Sequence, residues 1–339
     1  MSCAFEKIGR SSIKYAEPPS VLSFSSTVGP KEGEGPMKDC FDTVERDEYF
    51  GEDTWEKAES ALFKGTVIRA IDKAGLKNSD IDFLVSGDLL NQCTATGYAA
   101  RDLNIPYLGL YGACSTMAES LFVASNLIAG GANFAVAATC SHFCSAEKQY
   151  RYPLEYGGQR PPSAQWTVTG SGAVVLSGKG NGPYITAATC GKIIDPGIKD
   201  ANNMGAAMAP AFCDTVKAHL EAFSKKASDY DMIFSGDLGK LGREVARDLL
   251  MQDGIDVTNN YEDCGCIIYD AKKQDVHSGG SGCGCSASIL TGYILPEMKK
   301  LNLNRVLFIA TGALLSPTTT LQGESIPSIA HAIELSTTI

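Results

Sequence analysis

The stretch GLYGACSTMAES (residues 109–120) holds a single cysteine, Cys114, in a small-residue turn between an apolar run and a helical pattern. A helix opening just after a cysteine aims its free N–H groups back at the turn, where they lower a thiol pKa or hold an anion. Cys114 therefore has two readings, an acyl-accepting nucleophile or a small buried thiol beside a tight strand-to-helix turn. The first needs a base. Of the four histidines, His219 falls on the apolar face of a predicted helix, His331 lies in the tail and His277 precedes a glycine-rich loop. His142 follows a strand-like run in a loop of the kind that forms pockets, which makes it the candidate.

The elements that must position these residues occur twice. KNSDIDFLVSGDL (77–89) is echoed by KKASDYDMIFSGDL (225–238), GACS (112–115) by CGCS (283–286), and ANFAVAATCS (132–141) by LNRVLFIATGA (303–313). Each copy alternates helical periodicity with short continuous apolar runs, the pattern of strands covered on both faces. In the first copy Asp53 and Glu56 have the spacing of a capping box, opening a helix that ends near Gly75. The opening strands SVLSFSSTVGP (20–30) and PYITAATCGKIIDPG (183–197) divide the chain into α/β halves, 1–180 and 181–339. In open α/β sheets ligands collect beyond the carboxyl ends of strands. The loops there are SGDLLNQ (86–92), YGACST (111–116), TCSHFC (139–144), SGDLG (235–239), GSGCGCS (280–286) and TGALLSP (311–317). They supply Asp88, Asn91, Cys114, Ser141, His142, Gly236, Asp237, Cys283 and Ser286 as candidate ligand-binding residues. Arg151 and Arg160, from RYPLEYGGQRPP (151–162), are candidate cations for an anionic ligand.

Composition excludes several classes. A net charge of −10 and a pI near 5.0 give no clustered cationic surface for nucleic acid. The N-terminal residues show no secretory pattern, so the chain is expected to be intracellular. The uncharged stretch 120–146 is interrupted by Asn126, Gly130, Gly131 and Asn133 and reads as a buried helix followed by a buried strand, not a membrane span. Twelve cysteines without a signal read as reduced thiols, and the pairs Cys264/Cys266 and Cys283/Cys285 lack knuckle spacing for a metal.

With the duplicated halves, GACST, TGSGAVVLS (169–177) and TGALLSP, the chain resembles the thiolase superfamily, in particular its β-ketoacyl synthase III branch. Within it, GPKEGEGP (29–36), SGDLLNQ, RYPLEYGGQRPP, SGCGCSA and ATGALLSPTTTLQGESIPSIAH (310–331) resemble the stage V sporulation protein AD family of endospore-forming bacteria. The resemblance implies a thiolase-like fold of two similar halves in a layered αβαβα sandwich. It also implies binding of dipicolinic acid, free or as the calcium chelate, and support of its uptake into the developing spore. The implied partners are membrane subunits of the stage V sporulation A assembly, which would hold the chain at the periphery of the spore inner membrane, and a second copy in a homodimer.

Condensing enzymes of the superfamily add to their cysteine a histidine and an asparagine that stabilise developing negative charge. The cysteine position is Cys114, but the histidine position falls at or beside Gly236 and the asparagine position at Cys283. The expectation is a non-catalytic binder with no cofactor, in which Asp88 and Asp237 are the alternative ligands for a chelated calcium. The other reading is an acyltransferase or β-ketoacyl synthase using Cys114.

Overall fold

The computed structural model describes residues 5–150 and 160–339. Five strands and their helices form the first half: β1 (Ser20–Val28), α1 (Trp55–Lys73), β2 (Phe83–Gly87), α2 (Thr94–Leu103), β3 (Tyr107–Gly109), α3 (Thr116–Ala129), β4 (Phe134–Ser141), α4 (Phe143–Tyr150) and β5 (Gly170–Ser177). The second half runs β6 (Tyr184–Cys190), α5 (Met204–Phe223), β7 (Met232–Ser235), α6 (Gly239–Gln252), β8 (Tyr261–Asp263), α7 (Cys283–Ile289), β9 (Arg305–Ala313) and β10 (Ser328–Ser336). The strand order is β8-β7-β9-β10-β6-β1-β5-β4-β2-β3. Read outward from the β6/β1 seam, the two sides have the same order and the same directions, with β4–β2–β3 and β9–β7–β8 parallel and the remaining pairs antiparallel.

The continuous apolar runs fit this layering. Along β5, Val174 and Leu176 enter the central core with Met117, Leu121 and Ile128 of α3, while Ala173 and Val175 enter an outer core with Phe63, Val67 and Ile71 of α1. On β9, Val306 and Phe308 face the same central core and Leu307 and Ile309 face Phe212 and Val216 of α5. Both faces of these strands are covered, so hydrophobic alternation disappears. Helices α3 and α7 occupy the middle layer between the two sets of strands, and α1/α2 and α5/α6 lie outside, giving αβαβα.

The uncharged stretch 120–146 becomes the rest of α3, all of β4 and the start of α4, and among the described residues no helix is long and apolar enough to cross a membrane. The cap of α1 differs from the expected box. Thr54 is its N-cap, with Oγ1 accepting from Lys57 N, and Asp53 pairs with Lys57 instead. In the second half α5, which carries His219, begins at Met204, where the Asn203 side chain accepts from Ala206 N.

Candidate functional site

Cys114 stands in a 3₁₀ turn (Ala113–Ser115) that leads directly into α3. Ser115 Oγ donates to Gly112 O and Thr116 Oγ1 to Ala113 O, closing the turn on itself. Ala113 adopts φ +51°, a left-handed conformation costly for a residue with a Cβ, immediately before the cysteine. Gly312 of the second half presses on the same turn. A Cβ there would meet Gly112 O at 2.1 Å and Cys114 N at 3.3 Å.

The thiol is 5% exposed and shares an apolar cluster with Leu89, Ala146 and Cys283. Burial, then the adjoining Asp237 carboxyl and Cys283 thiol, push its pKa well above the ordinary range. That is the reverse of an activated nucleophile, and it corrects the expectation that the helix start would lower it. Asp237 accepts from Gly282 N (2.8 Å), Thr311 Oγ1 (2.9 Å) and Ser281 Oγ (3.1 Å). Burial raises its own pKa to about 7, against the donors around it.

The folded chain therefore keeps a proton on Asp237 that the unfolded chain releases near pH 4. Its stabilising contribution is present at low pH and is lost as pH rises through about 7. Urea unfolding of wild type and Asp237→Asn at about pH 5 and about pH 8 should show the variant gaining on wild type as pH rises. A pH-independent difference would refute a protonated Asp237. The variant isolates this group because buried Glu32 is also raised to about 7.

The repeated aspartate Asp88 does something else. It accepts from Leu90 N (2.8 Å), Thr96 N (2.8 Å) and Thr96 Oγ1 (2.7 Å), and so holds the start of α2. In the second half Asp263 takes that duty, accepting from Ser235 Oγ, Leu238 N and Gly239 N at the start of α6. The register explains the difference: Ser235 lies opposite Asp263, whereas its first-half counterpart Ser86 lies opposite Gly109, which has no side chain to offer. Asp88 and Asp237 do not fit a calcium ion. Each is fully buried and committed to N–H and O–H donors, and no group of three or more His, Cys, Asp or Glu is arranged to hold a metal among the described residues.

Of the other candidates, Cys283 touches the thiol's cluster, and His142 and Arg160 are engaged elsewhere. His142 is buried with Nε2 against Glu48 O (2.8 Å) and Nδ1 accepting from Cys144 N (3.1 Å), and its ring lies beside Trp55. The turn after β4 swings the imidazole away from the cavity, and burial lowers its pKa, so it serves as a neutral structural link. Ser141 donates to Val168 O and accepts from Gly284 N, and Ser286 donates to Cys283 O. Cys283 adjoins Cys114 and donates to Cys140 O (2.9 Å). Gly236 is tightly packed, since a Cβ would meet Ala310 Cα at 3.0 Å and Thr311 N at 3.1 Å. Arg160 is paired with Asp275 and lies over Trp166. Arg151 lies outside the described residues.

Two cavities share the Tyr150 and Leu315 side of this site. The inner one, of about 40 Å³, is floored by Cys114 with Thr167, Ser281 and Met204 around it. It has room for a few waters but not a ring. The outer one, of about 240 Å³, is lined by Asn91, Gln92, Tyr111, Ser316 and Pro317. Tyr150 OH donates to Leu89 O (2.5 Å) and is bonded to Tyr111 OH (2.9 Å), so paired phenols stand at the boundary. No Lys or Arg lines either cavity among the described residues. Residue type alone does not single out Tyr111, Tyr150 or Thr311, although each lies in or beside a loop that the strand pattern brings to this end.

A duplicated five-strand topology with a cysteine at the start of a middle-layer helix defines a thiolase-like protein. Solved structures agree: 3-oxoacyl-[acyl-carrier-protein] synthase III from Aquifex aeolicus aligns over 94% of this chain and 99% of that one, with TM-score 0.58 and 10% identity. Human mitochondrial 3-ketoacyl-CoA thiolase in complex with CoA aligns over 94% and 98%, with TM-score 0.58 and 11% identity. The chain belongs to the Stage V sporulation protein AD family, which matches residues 9–336. It is 46% identical over 326 residues to Stage V sporulation protein AD of Bacillus subtilis (strain 168), covering 96% of each.

Proposed function

We propose that this chain is a non-catalytic binder of dipicolinic acid that serves sporulation by supporting uptake of that acid into the developing spore. The observation that carries the reading is the environment of Cys114: a thiol held protonated beside the Asp237 carboxyl, with a tightly packed Gly236 where a condensing enzyme needs its histidine. Loss of one oxyanion donor typically costs about 100- to 1,000-fold in rate, and here two of the superfamily's groups are replaced. The outer cavity suits a one-ring ligand, being smaller than the roughly 300 Å³ at which drug-sized pockets begin. Its cation-free described lining favours the calcium chelate over the free dianion, because the chelate arrives with its charge compensated. Membrane subunits of the stage V sporulation A assembly are the proposed partners, holding a homodimer of this chain at the periphery of the spore inner membrane.

Thermal unfolding with dipicolinate, with and without calcium, tests the reading. A concentration-dependent rise in Tm is expected, larger with calcium, and smaller in Tyr111→Ala. No rise in a well-folded sample would sink the binding claim. The enzyme reading is separated by intact mass after incubation with acyl-thioesters. Wild type is expected to stay unmodified, and a stoichiometric adduct absent from Cys114→Ala would establish acyl transfer instead.

A further inference from the structure

Strand β9 ends at the Cys114 cavity but begins, at Arg305, at the opposite end of the sheet. There a cleft of about 670 Å³ opens between the strand Ser12–Tyr15, β6 and the ends of β9 and β10, with Lys14, Lys225 and Arg305 in its lining together with Glu334 and with Glu6, which lies opposite Lys14. Register brings them together. Lys14 lies opposite Ala187, Ala187 opposite Glu334, and Arg305 opposite Ser336, which is two residues beyond Glu334, so all project from one face.

Glu334 is committed to Lys225, Tyr230, Thr186 and His219. It is therefore not free for the other two cations. Neither Arg305 nor Lys14 has an ion-pair partner among the described residues, and Arg305 Nε is buried without any hydrogen bond. The Arg305 guanidinium thus has no protein acceptor among the described residues, and an acceptor that reaches its outer nitrogens would satisfy it. Its planar fork matches the oxygens of a phosphate. We propose that this cleft is an oxyanion site, separate from the Cys114 cavity, that binds a phosphate group through Arg305 with Lys14 as second cation. The phosphate belongs either to a free small molecule or to an anionic lipid headgroup.

Titration calorimetry of the full chain with inorganic phosphate, and co-sedimentation with phosphatidylglycerol against phosphatidylcholine vesicles, test the site. Wild type and Cys114→Ala should bind phosphate saturably and alike, and Arg305→Met and Lys14→Met should each weaken it at least about tenfold. Sedimentation that needs phosphatidylglycerol and is lost in Arg305→Met assigns the phosphate to a lipid, and phosphate binding without it assigns a free anion. Should Arg305→Met fail to fold, Lys14→Met decides, because Lys14 is exposed. The proposal is overturned if wild type shows neither phosphate binding nor phosphatidylglycerol dependence, or if the folded variants match it.

Discussion

Replacing Gly312 by alanine is expected to lower stability by about 3 kcal/mol or more, at the upper end of what overpacking costs. The added Cβ would stand 2.1 Å from Gly112 O and 3.0 Å from Ser115 N. Both are backbone atoms of the turn that starts α3, so relief requires moving the helix start together with Cys114. A flexible side chain would yield; this contact does not. Urea unfolding measures the loss, and Gly97→Ala is the control. Gly97 lies within α2, where an added methyl group would meet nothing within 4 Å, and alanine there should gain about 0.5–1 kcal/mol. A Gly312→Ala cost below about 1 kcal/mol would show that the two halves do not grip the turn as tightly as the distances indicate.

Glu334→Gln should cost a comparable amount, about 3–5 kcal/mol, because it leaves a lysine beside a neutral amide in a buried site. Glu334 is 3% exposed and accepts from Lys225 Nζ (2.5 Å), Tyr230 OH (2.7 Å) and Thr186 Oγ1 (2.7 Å), with His219 Nε2 at 3.5 Å. Burial pushes its pKa up, but these donors together outweigh burial and hold the carboxyl well below the usual carboxylate range. The sign is opposite to that of Asp237. A depressed carboxyl stabilises the fold above its unfolded pKa and loses that contribution as pH falls. The gap between wild type and Glu334→Gln should thus be widest near neutrality and shrink as pH falls below about 4, and a constant gap would assign the cost to packing alone.

The strand pattern and the repeat were legible because they are local. VSGDL and FSGDL announce the same strand-to-loop passage, and β2 and β7 do occupy equivalent places. The separate duties of Asp88 and Asp237 were not legible, because they turn on what stands across the sheet, Gly109 or Asp263, far along the chain. His142 shows the same limit. Its position after β4 placed it at the correct end of the sheet, but its side-chain direction depends on Glu48 and Trp55, nearly a hundred residues earlier. Gly236 and Cys283 were readable as departures from the condensing-enzyme pattern, yet only the neighbouring backbone of Ala310 and Thr311 shows how little room a side chain would have at 236.

Asp263 has a consequence for how freely the protein can change. Where a turn depends on one aspartate, as at Asp88, any exchange alters the helix start and the site together. Where a neighbouring strand has taken over the turn, Asp263 anchors the helix start and Asp237 is turned to other donors, Gly282 N, Ser281 Oγ and Thr311 Oγ1. An exchange at position 237 therefore leaves the start of α6 in place but strips the acceptor that ties Ser281 and Gly282, at the start of α7, to Thr311 of β9.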